Sequence, residues 1–256
     1  MGFSGKVILI TGAAGGIGKA TAKAFALEGA KLALVDLDED MLQTVAEELN
    51  IPKGDCLLIS ANVTNEQEVQ NYVRKTKETF GRIDVFFNNA GVEGKFGMIT
   101  DISAESLDQV LNVNVKGVFY GLKHVMAIML DQKSGSIINT SSTAGLLGVP
   151  GLAPYVASKH AIIGLTKTAA LECAASGVRV NAICPSPVNT RMMRSIESGA
   201  APENAEAAKE LITQTIPFGR YGEPEEIAQL VLFLGSQKAS FITGGSYPID
   251  GGQTVL

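Results

Sequence analysis

Short apolar runs alternate with helical patterns along the whole of this chain, and few folds satisfy that alternation. The apolar runs fall at 6–10, 31–35, 56–60, 83–87, 136–139, 178–183 and 246–249. A strand buried on both faces reads as a near-continuous apolar run, and parallel strands need a crossover that is usually a helix. Helical patterns fill the gaps, at 19–28, 39–49, from Thr64 to 80, 103–130, through Tyr155 to 170, and 224–234. The alternation predicts an α/β fold: a doubly wound parallel sheet of about seven strands with helices on both faces. Ligands in such folds bind at the C-terminal ends of the strands. A length of 256 residues permits one domain or two. With no linker in sight, the expectation is a single domain over 1–256.

The first strand runs into Thr11-Gly12-Ala13-Ala14-Gly15-Gly16-Ile17-Gly18 and then a helix. A glycine-rich turn there leaves backbone N–H groups uncovered at a helix N-terminus, where the helix dipole favours a pyrophosphate. Strand, turn and helix stand in the order a dinucleotide cradle requires. The second strand ends in Asp36, where a carboxylate either accepts from the adenosine ribose and repels a 2′-phosphate, or begins a turn or caps the helix from Asp38 onward. Ala13, Ala14, Gly15 and Leu37 offer no cation, so the cofactor predicted is NAD rather than NADP. For the helix ending at Phe80, Thr64 is the predicted N-cap, with Gln67 completing a capping box.

The fourth strand delivers Asn88-Asn89-Ala90-Gly91, and 92–102 reads as a loop over a site. The long helical pattern at 103–130 carries Asn112 and Asn114 in its interior. Asparagine is a poor mid-helix residue, so Asn114 is either satisfied by a neighbouring backbone group or placed for use. Strand five leads to Ser142, and a helix then presents Tyr155 and Lys159. Four residues apart on a helix, the two side chains share a face. A phenol with a pKa of about 10 is a poor base at neutral pH, but a cation nearby favours the phenolate. The predicted effect of Lys159 is therefore to lower the Tyr155 pKa. The small and apolar face of this helix, with that of 118–130, suits self-association or an intramolecular packing partner. Residues 191–217 exceed an ordinary connection and read as a lid with Met192, Met193 and Ile196 beneath.

A net charge of -5 disfavours nucleic acid and anionic membranes as partners and leaves a small molecule. Cys56, Cys173 and Cys184 show neither disulfide nor zinc-ligand spacing and read as packing residues in a reducing compartment, so no metal is expected. The apolar run after Lys6 is too short for a signal-peptide core, and 118–130 carries Lys123 and His124. The expected location is the cytoplasm.

With Thr11-Gly12-x-x-x-Gly16-Ile17-Gly18, Asn88-Asn89-Ala90-Gly91, Ser142 and Tyr155-x-x-x-Lys159 in this order, the chain resembles the classical short-chain dehydrogenase/reductase family over essentially its whole length. The resemblance implies one Rossmann-type domain, usually a homotetramer, that moves hydride between a nicotinamide and a carbonyl or alcohol carbon. Carried over by position, it makes Tyr155 the general acid in reduction and base in oxidation. It has Lys159 hold the nicotinamide ribose, Ser142 the substrate oxygen, and Asn114 a water relay behind Lys159. It assigns Gly12, Gly16, Ile17 and Gly18 to the pyrophosphate, Asp36 to the adenosine ribose, Asn62 and Val63 to the adenine, and Asn89 to the region beside it. Val188 and Thr190 fall to the nicotinamide amide. Two positions depart from the family pattern: Asn62 stands where Asp is usual, and Ser186 where glycine usually follows proline. The former should weaken adenine contacts, and the latter implies local adjustment if that glycine needs a special backbone conformation.

The reading that follows is an NAD-dependent oxidoreductase for a secondary alcohol and its ketone. Glu93, Phe96, Leu146, Leu147, Leu152, Met192 and Met193 would border the substrate, and cyclic or hydroxylated alcohols suit the apolar lid. A 3-oxoacyl-carrier-protein reductase is the alternative enzyme, disfavoured by Asp36 because that activity generally uses NADPH in this family. A cofactor-binding sensor that lost the chemistry would not need the intact set Asn114, Ser142, Tyr155 and Lys159.

Overall fold

The computed structural model describes residues 2–52 and 54–255. Its elements run β1 (Val7–Thr11), α1 (Gly16–Leu27), β2 (Lys31–Asp36), α2 (Glu39–Leu49), β3 (Cys56–Ser60), α3 (Glu66–Phe80) and β4 (Val85–Asn88). They continue with α4 (Ala104–Leu111), α5 (Val118–Gln132), β5 (Gly135–Thr140), α6 (Ala153–Cys173) and β6 (Val178–Pro185). After these come α7 (Arg191–Ala200), α8 (Ala205–Gln214), α9 (Pro224–Gly235) and β7 (Ser246–Ile249). The strands form one seven-stranded sheet in the order β3-β2-β1-β4-β5-β6-β7. Every pairing is parallel. The direction of winding reverses between β1 and β4, which opens a crevice at their C-terminal ends.

Alternate residues of each strand face opposite layers, and both layers are apolar. Leu9, Phe86, Ile137 and Val180 pack with Val69 and Tyr72 of α3, Val125 and Met129 of α5 and Ile162 of α6. Ile8, Ile10, Phe87, Ile138 and Ile183 pack with Phe25 of α1, Leu42 of α2 and Val231 of α9. A polar thread crosses the first layer. Asn88 Nδ2 donates to Val118 O (3.0 Å) and to Asn139 Oδ1 (3.2 Å), Asn139 Nδ2 donates to Thr166 Oγ1 (2.9 Å), and Thr166 Oγ1 donates to Ile162 O (2.8 Å). It joins α5, β4, β5 and α6 through groups that all have partners, so their burial is affordable.

Two local expectations need correction. The N-cap of α3 is Asn65, whose side chain accepts from Gln67 N, because Thr64 is drawn away to Asn62 Oδ1. The pattern at 103–130 is not one helix: a π-helical segment, Asn112–Gly117, separates α4 from α5.

Candidate active site

At the head of the crevice the glycine turn is shaped by backbone needs. Gly12 sits at φ +65°, in the left-handed region that glycine adopts without a Cβ penalty. A Cβ on Gly18 would lie 2.1 Å from Gly12 O, so the turn closes directly on the first turn of α1. Its N-cap, Gly15, carries no capping side chain, and no acidic residue occupies the first turn. By contrast α2, α3 and α4 each have a capping side chain and an acid there. The uncapped helix start at Gly16, Ile17 and Gly18 thus fits an anionic pyrophosphate. Asp36 is bound to the same turn, Oδ2 accepting from Ala14 N (2.9 Å) and Oδ1 from Leu37 N (2.8 Å). Asp38, not Asp36, caps α2.

Asn89 ties the turn to the centre of the sheet. Its Nδ2 donates to Thr11 O (3.2 Å) and Gly12 O (3.3 Å), and its Oδ1 accepts from Thr140 Oγ1 (3.1 Å). Asn62 is engaged by its own loop. Both acceptor positions of its Oδ1 go to Thr64, from N at 2.9 Å and Oγ1 at 2.8 Å, so the amide Nδ2 is what it offers a ligand. Val63 is half-buried and packs against Gly117, where a Cβ would approach Val63 Cγ2 to 3.0 Å. At the other side of the cradle a Cβ on Gly16 would lie 2.8 Å from Thr190 Cγ2. Val188 bridges to Gly222, and Thr190 Oγ1 donates to Val188 O (3.2 Å). Ser186 has no positive φ, so the serine sits outside the strained left-handed region.

The chemistry-bearing groups meet at the ends of β5 and β6. Tyr155 and Lys159 lie one above the other on α6 with the ammonium 5.3 Å from the ring centroid. Both are buried, at 9% and 3% exposure. Lys159 Nζ donates to Thr140 O (2.8 Å), the last residue of β5. Gly145 allows the Ser142 loop to reach α6, since a Cβ there would come within 2.8 Å of Lys159 O. Ser142 Oγ accepts from Ala144 N (3.1 Å) and lies beside the phenol, with Pro185 O, at a long 3.4 Å, as a second acceptor its proton can turn to.

Burial dominates the electrostatics of this pair. It pushes the Tyr155 phenol up to about 12, with the Glu93 charge adding to the rise and the Ser142 hydroxyl opposing it. It pulls the Lys159 ammonium down to about 8. The net shift of the Tyr155 phenol is therefore upward and set by its burial. Desolvation disfavours the charged form of each group.

Asn114 is held by a neighbouring backbone segment and a serine. Within the π-helical segment it is fully buried. Its Oδ1 accepts from Val92 N (2.9 Å), and its Nδ2 donates to Val92 O (2.9 Å) and Ser158 Oγ (3.0 Å). One Oδ1 lone pair remains. Gly91 separates it from Lys159: a Cβ there would lie 3.2 Å from Asn114 Oδ1 and 3.6 Å from Lys159 Nζ.

An apolar wall stands beside the phenol. Tyr155 packs with Ala144 and Leu152, and Phe96, Val149, Val156 and Ile196 lie against them. Phe96 is held between Gly151 and Gly199 of α7. Met193 is buried with Ile216 and Tyr221 beneath α7, whereas Leu146 and Leu147 remain exposed. Sequence reasoning missed the Thr140 carbonyl, Ser158 and Gly91 as parts of this cluster. Only Gly91 carried a signal, as the end of the Asn-Asn-Ala-Gly run.

A sheet that reverses beside an uncapped glycine turn places the molecule in the Rossmann class. The family model described as enoyl-(acyl carrier protein) reductase matches residues 12–254. The levodione reductase of Leifsonia aquatica is 42% identical over 255 residues, covering 99% of this chain and 96% of that protein. A crystal structure of levodione reductase superposes with a TM-score of 0.97 at 42% identity, covering 99% of each chain. NAD+-bound xylitol dehydrogenase gives 0.92 at 37% identity, covering 98% of this chain and all, 100%, of the other. The 3-ketoacyl-(acyl-carrier-protein) reductase of Brucella melitensis complexed with NADH gives 0.90 at 31%, covering 98% and 99%. The chain belongs to the classical short-chain dehydrogenase/reductase family. It is an oxidoreductase of that family, and among the described residues no helix is long and apolar enough to cross a membrane.

Proposed function

We propose that the protein is an NAD-dependent oxidoreductase that interconverts a secondary alcohol and its ketone. The observation that carries this reading is the gathering of buried Tyr155 and Lys159 with half-buried Ser142 at the strand ends beside the glycine turn. Ser142 Oγ orients the substrate oxygen, and Tyr155 Oη gives it a proton in reduction and takes one in oxidation. Lys159, anchored by one N–H to Thr140 O, keeps two donors for the hydroxyls of the nicotinamide ribose. Its charge favours the phenolate when the proton leaves. The remaining lone pair of Asn114 Oδ1 holds a water that links Lys159 to solvent. The nicotinamide, when bound, supplies or takes the hydride. Gly12, Gly16, Ile17 and Gly18 hold its pyrophosphate, and Val188 and Thr190 its amide. Asp36 accepts from the adenosine ribose, with Asn62, Val63 and Asn89 around the adenine. The absence of a cation beside Asp36 favours NAD over NADP.

In this reading 191–217 is a lid over a single domain, and Phe96, Leu152 and Ile196 give the pocket an apolar wall suited to a compact carbon skeleton. The exposed face of α6, with Ala157, Gly164 and Leu171, seats a second subunit in a homotetramer that works in the cytoplasm. A 3-ketoacyl thioester reductase is the second reading, because a relative of that name and fold is complexed with NADH. Cofactor choice alone does not separate the two.

The test follows nicotinamide absorbance with a panel of secondary alcohols, ketones and an acetoacetyl thioester, with NAD(H) and NADP(H) in parallel. Turnover of alcohols with NAD(H), reduced about 10²–10⁴-fold in Tyr155→Phe, is the expected result. Preference for the thioester selects the second reading. Preference for NADP(H) overturns the role given to Asp36. Cofactor binding without any turnover points instead to a sensor.

A further inference from the structure

Gln253 lies beyond the last strand, yet its side chain reaches two segments of the site. Its Oε1 accepts from Thr143 Oγ1 (3.0 Å), and its Nε2 donates to Thr215 Oγ1 (2.9 Å). The direction of the amide is fixed by chemistry. The Thr215 hydroxyl proton already goes to Ile212 O (2.7 Å), so Thr215 can only accept from Gln253. Thr143 follows Ser142 directly, and its carbonyl accepts from Leu146 N (2.8 Å) and Leu147 N (2.9 Å). It therefore anchors the turn that presents the Ser142 hydroxyl. Thr215 is the C-cap of α8, where the 191–217 segment returns to the frame.

The base of Gln253 is rigid. Asp250 accepts from Gly252 N (3.0 Å), Thr254 N (2.9 Å) and Thr254 Oγ1 (2.6 Å), which locks the terminal turn. That turn hangs from β7, whose Ile249 pairs with Pro185 of β6. One amide thus ties both active-site segments to the edge of the sheet, across separations of 110 and 38 residues.

We propose that Gln253 is a positioning residue, whose amide couples the turn carrying Ser142 to the end of the lid and so sets the Ser142 hydroxyl for the substrate oxygen. The inference rests on the role given to Ser142 above. A residue acting in this way affects substrate turnover and leaves cofactor binding alone, since neither Thr143 nor Thr215 touches the glycine turn.

The experiment compares Gln253→Ala, Gln253→Glu, Thr143→Val and Thr215→Val with the parent protein. It measures kcat and KM for the best alcohol of the panel, NADH affinity by fluorescence, and hydrogen exchange over 143–147 and 212–215. Gln253→Ala is expected to lower kcat/KM about tenfold, the size of one lost hydrogen bond, with NADH affinity unchanged. Thr143→Val should add nothing further in the Gln253→Ala background, the signature of a shared path. Gln253→Glu keeps the acceptor for Thr143 and loses the donor for Thr215, so exchange should quicken at 212–215 and not at 143–147. Unchanged kcat/KM in an active parent overturns the proposal, as do strictly additive losses or an equal loss of NADH affinity. A parent that turns over no substrate overturns the role of Ser142 instead. The coupling itself then stands or falls on whether Gln253→Ala quickens exchange in both segments.

Discussion

Lys159 is an ammonium that the fold makes uncomfortable. Burial lowers its pKa from an ordinary 10.5 to about 8, so below pH 8 the folded protein carries a cation that the unfolded chain carries more cheaply. Between about 8 and 10.5 the unfolded chain binds more protons, and stability rises with pH. The difference in unfolding free energy between the parent and Lys159→Met should therefore shift in the parent's favour by about 3 kcal/mol across that window. Chemical denaturation at pH 7, 9 and 10.5 reads it directly, and a flat difference would mean that burial does not penalise the ammonium. Asp36 offers a second single-residue test. Asp36→Asn retains an oxygen for Ala14 N but removes the charge and the acceptor for Leu37 N, so discrimination between NAD and NADP should narrow roughly 10–100-fold while the bond to the glycine turn is kept. Parallel titrations of both cofactors measure it, and unchanged discrimination would remove Asp36 from the recognition of the ribose.

Among elements, the glycine turn and α7 interlock through one methyl group. Gly16→Ala should drive a Cβ against Thr190 Cγ2 and weaken cofactor binding, and Thr190→Ser in the same chain should restore much of it by deleting that methyl. Binding isotherms for the single and double variants test the contact, and failure of the serine to rescue would place the damage within the turn itself. The elements were also where the sequence was most readable. The bounds of α2, β3 and β7 follow directly from apolar runs and flanking turn residues. The π-helical segment was invisible because it is a short stretch between two helices. Asn114 in an apolar surround was its only trace. Choosing between Thr64 and Asn65 as a cap was likewise beyond pattern reading, since both are good caps and Asn62 decided the matter. The Tyr155, Lys159 and Ser142 cluster was legible from spacing and resemblance. Its anchor, Thr140 O, was not, because a backbone carbonyl has no sequence signature.

At the scale of the molecule, α6 divides its surface sharply. Tyr155, Lys159, Ile162 and Thr166 face inward, whereas Ala157, Gly164 and Leu171 are exposed on the outer side. A Cβ on Gly164 would meet nothing within 4 Å, so Gly164→Arg fits the isolated chain. It should nonetheless dissociate an assembly seated on that face, which sedimentation velocity reads as a fall in mass. An unchanged mass would move the interface elsewhere. The reversal of winding between β1 and β4 has a further consequence in time. As the chain leaves the ribosome, β1, β2 and β3 can pair as soon as about 60 residues are out, with α1 and α2 as their crossovers. The other edge of β1 must then wait, bare, for a strand that emerges some 25 residues later. The nascent protein thus has the half that carries the glycine turn before the half that carries Tyr155 and Lys159, and the seam where they join closes only when β4 arrives.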